Sequence, residues 1–152
     1  MSEVQSLVED QIDGGLALTM LEQSPQCIKL LDQSGRLCFM SENGQQLMEI
    51  DDFTAIDGTE WWKLWPEKSQ ATLRNAVAAA RGGMMVVFEA ACPTARGKMK
   101  HWRVRVSRVE GGELDGMIIA ASEDVSDQVE LQDAREQLEL DNAALRRFAR
   151  FV

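Results

Sequence analysis

The sequence predicts an α+β domain: a mostly antiparallel sheet with helices to one side, followed by one long helix. Three observations predict it. The apolar period changes from about 3.6 to 2 after Gly82 and Gly83. Turn-sized gaps separate the strand-like runs, so hairpins dominate and no regular strand–helix–strand alternation exists. From Val125 to the last residue, Val152, neither glycine nor proline interrupts the chain.

The elements follow in order. Residues 2–13 place Val4, Leu7 and Val8 at helical spacing and end at Gly14 and Gly15, and 16–22 read as a second short helix closed by Ser24 and Pro25. Residues 27–32 and 36–40 are two short apolar runs around Gln33–Ser34–Gly35, hence a hairpin. Ser41 suits an N-cap, and Leu47, Met48 and Ile50 put a stripe on the helix behind it. Aspartates at 51, 52 and 57 with Gly58 break the next stretch into helical turns, the last of which carries Trp61, Trp62 and Trp65 and stops at Pro66. Pro66 then opens a longer helix, 67–81, with Leu73, Ala76, Val77 and Ala80 on its buried side. Residues 84–91, 100–109 and 114–124 are three strands joined by the turns 94–97 and 110–113. The final helix is roughly 40 Å long at about 1.5 Å per residue.

At 152 residues the chain fits one domain with an extension, divided as a flanking segment 1–15, a domain 16–124 and a terminal helix 125–152. Apolar residues make up 45% and charged residues 27%, ordinary for a globular protein. Sixteen basic against 25 acidic residues leave a net charge of −9, which disfavours nucleic acid and anionic lipid as partners. The one basic run, from Arg96 through Lys98, Lys100, His101 and Arg103 to Arg105, alternates with Trp102, Val104 and Val106 and reads as one face of a strand. Cys27, Cys38 and Cys92 sit in apolar runs without a C-x-x-C pair, which indicates a reducing, cytoplasmic setting and no disulfide framework. No apolar stretch reaches the ~18–20 residues of a membrane span, and the acidic N-terminus is unlike a signal peptide, so this segment is expected to make no membrane contact.

On the terminal helix Leu131, Leu138, Leu145 and Val152 recur every seven residues, with Ala134 and Phe148 in the companion positions. That repeat favours a left-handed coiled coil, and hence a homodimer, over a helix lying on its own sheet. Asp141 fills the remaining companion position, where a carboxylate weakens packing and helps select register. Catalytic chemistry has no visible seat. The motifs G-x-S-x-G, H-E-x-x-H, G-x-x-x-x-G-K-[ST] and G-x-G-x-x-G are absent, and His101, the single histidine, reads as a strand-rim residue. One histidine and scattered thiols also argue against a zinc site.

Three stretches together carry a family resemblance: Gly58–Thr59–Glu60–Trp61–Trp62–Lys63–Leu64–Trp65–Pro66; Phe88–Glu89–Ala90–Ala91–Cys92–Pro93–Thr94–Ala95–Arg96–Gly97; and His101–Trp102–Arg103–Val104–Arg105–Val106 leading to Ser122–Glu123–Asp124–Val125–Ser126. Over roughly residues 16–126 the chain resembles a bacterial PAS domain of the type found in sensor histidine kinases. Asp124–Val125–Ser126 matches the Asp-Ile/Val-Thr/Ser ending of such domains. The resemblance implies a five-stranded antiparallel sheet of order 2-1-5-4-3 and a sensory role in a two-component system, relayed to the C-terminal helix. Residues 140–152 look like the approach to a kinase dimerisation helix, which implies that the chain is a fragment of a kinase whose catalytic part lies elsewhere.

The resemblance also sorts cofactors. The helix 67–81 lacks the histidine of haem-binding relatives, no Asn-Cys-Arg-Phe-type motif of light-oxygen-voltage domains occurs, and the three cysteines fall on strands, unlike the chromophore-bearing cysteine of photoactive yellow protein. No cofactor is assigned. A non-covalent flavin or a small apolar ligand remains compatible, with Trp61, Trp62, Trp65, Leu73, Val77 and Phe88 as candidate pocket lining. The same tryptophans at helical spacing equally suit core packing. Asp124 and Ser126, where strand becomes helix, are the candidate signal junction, because either can cap the first free amides. The rival reading is a dimerising scaffold that binds no ligand.

Overall fold

The computed structural model describes residues 19–20 and 23–150. The expected helices at 2–13 and 16–22, and Val152 of the heptad seam, lie outside the described residues, apart from Thr19 and Met20, which are helical. Five strands form one antiparallel sheet: β1 (Cys27–Leu31), β2 (Leu37–Met40), β3 (Val86–Pro93), β4 (Met99–Arg108) and β5 (Ile118–Asp124). Their spatial order is β2-β1-β5-β4-β3. Helix α1 (Glu42–Leu47), two 3-10 turns (Phe53–Ala55 and Trp61–Leu64) and helix α2 (Glu67–Arg81) connect β2 to β3, and helix α3 (Ser126–Ala149) follows β5.

Each element has a local cause. The Ser41 hydroxyl accepts from the Gly44 N–H at 3.1 Å and starts α1. Pro66 occupies the N-cap of α2, Glu67 lies in its first turn and Arg81 in its last, matching the helix dipole. Ser69, Leu73, Ala76, Val77 and Ala80 form the buried stripe of α2. On the sheet, Leu31, Leu37, Trp102, Val104, Val106, Ile118 and Ala120 turn to the helices and are at most 1% exposed. Trp61, Trp65 and Leu73 close the same core from the helical side. On the opposite face Leu30 and Phe39 gather Val109, Leu114, Met117 and Ile119 into a smaller cluster.

The strand limits depart from the sequence expectation for physical reasons. Leu31 pairs with Leu37 and Leu30 with Phe39, so Cys38 is an extra residue in β2. This bulge lets Leu37 and Met40, three apart in sequence, both face the core. Met84 and Met85 are 66% and 61% exposed and precede the paired part of β3, and Leu114 sits in a turn before β5 begins at Ile118.

Gly35 illustrates how closely the β1–β2 turn is seated. Its φ is +88°, and an added Cβ would stand 2.3 Å from Cζ3 of Trp62. Gly35→Ala therefore meets both backbone strain and a ring clash, and is expected to cost about 1–3 kcal/mol. A urea midpoint unchanged from that of the parent chain would refute this packing.

Candidate functional site

The junction between β5 and α3 is built from both strands that flank it. The Ser126 N–H and hydroxyl donate to Asp124 Oδ1 at 3.0 and 2.6 Å. Asp124, one residue before the N-cap Val125, thus holds the amide of the first helical residue. Ser126 does not cap α3: its oxygen accepts from the His101 N–H of β4 at 3.0 Å, while the Val125 N–H donates to the His101 carbonyl at 2.8 Å. Val125, 2% exposed, anchors the turn in the core. The register Trp102 opposite Asp124 places these groups together.

Lys100 extends the junction toward the helices. Its Nζ lies 3.5 Å from Asp124 Oδ2, donates to the Leu47 carbonyl at the end of α1 at 2.8 Å, and stands 5.7 Å from the Trp102 ring centroid. One ammonium on β4 therefore ties the end of α1 to Asp124 of β5, which in turn holds the Ser126 amide at the start of α3. Burial alone pushes the Asp124 carboxyl up, but the hydroxyl and amide of Ser126 and the charge of Lys100 outweigh it and hold the carboxyl below its ordinary 3.8. Because the folded value is depressed, the stability this adds is present above 3.8 and is lost as pH falls through the lower folded value. Asp124→Asn is expected to flatten part of the acid limb of a thermal-stability profile, and an acid limb identical to that of the parent chain would contradict it.

The candidate lining residues fall in two places. Trp61, Trp65, Leu73 and Val77 are buried, with Phe88 packed against them, on the inner side between sheet and helices. Trp61 meets Trp65 edge-on at 6.2 Å, and Trp65 meets Phe88 at 6.3 Å. Trp62 is partly buried and covers the Gly35 turn. Cys27, Cys38 and Cys92 are all on strands, and burial pushes the thiols of Cys38 and Cys92 up to about 11. Lys29 also faces this core. Neither Lys29 nor Lys100 belongs to a motif. The only sequence signal for Lys29 is the period-2 spacing that sets it between Cys27 and Leu31.

Salt bridges break up the basic run of the sequence. Arg103 sits between Glu89 at 2.9 Å and Glu123 at 3.6 Å across three strands, and Arg96 reaches Asp51 at 2.9 Å. A groove of about 250 Å³ lies between Ala91, His101, Val125 and Val129, where α3 leaves the sheet. Past Val129, α3 is exposed at every residue through Arg150 except Ala143. Leu131, Leu138, Leu145 and Phe148 are 63%, 60%, 65% and 69% exposed, and Ala134 lies open beside them. Gln137 Nε2 donates to Asp141 Oδ1 at 2.9 Å along the same helix. Among the described residues, no helix is long and apolar enough to cross a membrane.

A family model described as the PAS fold matches residues 21–130. Solved structures with the same architecture include the PAS domain of an HTR-like protein from Haloarcula marismortui, 17% identical, with a TM-score of 0.62 over 81% of this chain and 99% of that one. A domain of a sensory box sensor histidine kinase/response regulator from Geobacter sulfurreducens is 16% identical, with a TM-score of 0.59 over 74% and 94% of the two chains. The PAS domain of the Cronobacter turicensis quorum-sensing receptor RpfR, solved in complex with BDSF, is 17% identical, with a TM-score of 0.56 over 68% and 96%. Comparison with curated proteins finds no match.

Proposed function

The chain belongs to the PAS fold family, and from that premise we propose that it is the sensory module of a sensor histidine kinase, relaying ligand or partner state through Asp124 and Ser126 to a paired α3. PAS domains are sensory and not catalytic; in this reading any kinase activity resides outside these residues. The observation that carries the proposal is the Lys100–Asp124–Ser126 cluster. It links α1, which packs on the inner face of the sheet, to the first turn of α3. A displacement of α1 or β5 changes the cap, and the cap sets where α3 begins.

Support for pairing comes from α3 itself. Beyond Val129 it does not pack on its own sheet, and its heptad leucines stand in solvent, where a second copy would cover them. The Geobacter neighbour supports the kinase context. Asp124→Ala in the intact parent protein is expected to leave the fold in place, at a cost near 1 kcal/mol, and to uncouple stimulus from output. Unchanged regulation in that variant would refute the relay.

The packing of Trp61, Trp65 and Phe88 against one another favours a second reading, in which the inner space is filled by side chains and the module only dimerises. Native mass spectrometry of freshly purified protein separates the two. A retained small molecule supports sensing, and a bare dimer supports the scaffold.

A further inference from the structure

The sheet has two edges, and among the described residues only one is closed. At β2, Leu37 donates its N–H to the Thr59 carbonyl at 2.9 Å and accepts from the Gly58 N–H at 2.8 Å, so the loop before Trp61 covers that edge. β3 forms the other. Which of its backbone groups stand free follows from the neighbouring strand. The His101 N–H donates to Ser126 and the His101 carbonyl accepts from Val125, both on the side away from β3. In an antiparallel pair the residue opposite then turns its own groups the other way. Ala91 is opposite His101, and Glu89 and Val87 follow at every second position. Their N–H and C=O groups therefore point out of the edge, and among the described residues nothing meets them.

Such an edge is a template for another strand unless it is short, bulged or charged. β3 is none of these. It pairs with β4 without a break from Val86 to Pro93, and Val86, Val87, Phe88, Ala90 and Ala91 make it apolar. Its one charge, Glu89, is drawn back over the sheet by Arg103 at 2.9 Å. Val87 is 49% exposed, and the open Met84 and Met85 extend the apolar strip. Pro93, which lacks an N–H, ends it.

We propose that β3 pairs edge to edge with β3 of a second copy, antiparallel and centred on Phe88. Charge selects both the occupant and the register. A centre at Glu89 sets two glutamates opposite each other, which is unfavourable. A centre at Val87 shortens the overlap, and centres beyond Glu89 bring in Pro93. A centre at Phe88 sets Glu89 opposite Val87 of the second copy, whose neighbour on β4 is Arg105. Arg105 is exposed, and among the described residues its guanidinium has no partner. In this register the Cα atoms of Glu89 and that Arg105 stand about 10 Å apart, a gap the two side chains span. Glu89 is then held between Arg103 of its own chain and Arg105 of the second copy. On the inner face Phe88 meets Phe88, extending the edge-on row that starts at Trp65. A seam one strand long is smaller than a stable interface, so its Kd is on the order of 1 mM. The contact is independent of α3, and copies paired through α3 would join side by side through it.

Amide hydrogen exchange of the whole chain, read by NMR at roughly 0.05 and 2 mM, tests the contact. A Kd near 1 mM takes pairing from about a tenth to more than half of the chains over that range. The Val87 and Glu89 amides are expected to exchange about twofold more slowly at the higher concentration, while those of Phe88 and Ala90, which face β4, stay unchanged. Val87→Lys puts a charge on the edge, and Arg105→Glu sets a second carboxylate toward Glu89. Each is expected to abolish the slowing with Tm within about two degrees of the parent chain, since both sites are exposed. Slowing that persists in Val87→Lys would overturn the edge contact. Loss in Val87→Lys without loss in Arg105→Glu would overturn the register. Val87 and Glu89 amides that exchange equally at both concentrations, fast or slow, would overturn the second copy as the occupant.

Discussion

Trp61→Ala is expected to remove about 3–5 kcal/mol of stability, the largest single loss in the domain. Trp61 is 0% exposed and is among the largest fully buried side chains. Its ring joins Trp65 and, through it, Phe88, so truncation opens the contact between the 3-10 turn and the sheet. Against a typical total of about 5–15 kcal/mol, that loss leaves a chain that unfolds at mild temperature or low urea. Trp61→Phe provides the contrast. It keeps a ring in place and removes an indole N–H that has no acceptor, so it is expected to cost less than half as much. Urea denaturation followed by circular dichroism reads both, and a Trp61→Ala midpoint within about 1 kcal/mol of the parent chain would show that the ring is not part of the core.

Leu138→Asp has its large effect elsewhere. Leu138 is 60% exposed in the single chain, so the domain's own stability is expected to move by no more than about 0.5 kcal/mol. In a paired α3 the same residue faces its counterpart in the seam. Two carboxylates there lose the apolar contact and add desolvation, enough to weaken dimerisation roughly a thousandfold or more. Leu140, equally open at 62% but off the seven-residue repeat, is the control: Leu140→Asp leaves pairing intact. Sedimentation velocity across a concentration series decides it. A parent chain that stays monomeric at high micromolar concentration, or a Leu138→Asp chain that still dimerises, would refute the pairing.

These expectations rest on features of different legibility. Helix α2 was readable to the residue, because Pro66 and Gly82 bracket a clean stripe from Leu73 to Ala80. The sheet was readable as alternating runs, and its order came only with the family resemblance. The bulge at Cys38 was not readable, since a strand of four residues offers too little periodicity to reveal an inserted one. Lys100 was hidden for another reason. In a run of alternating basic residues it looks like any exposed cation, and only the pairing of Trp102 with Asp124 and the position of Leu47 turn it inward. The two polar residues of the junction were visible as a pair, but their division of labour was not. Asp124 holds the Ser126 amide while the Ser126 hydroxyl reaches across to His101, a strand register that local sequence does not encode.

In the proposed relay, the start of α3 depends on contacts made by β4, β5 and the end of α1. Amide hydrogen exchange in the first turn of α3 measures this directly in the parent chain, in Asp124→Ala and in Lys100→Met. Faster exchange is expected at residues 126–129 in both variants, with protection in α2 and the central strands unchanged. First-turn protection equal in all three chains would contradict it, because α3 would then begin independently of the sheet.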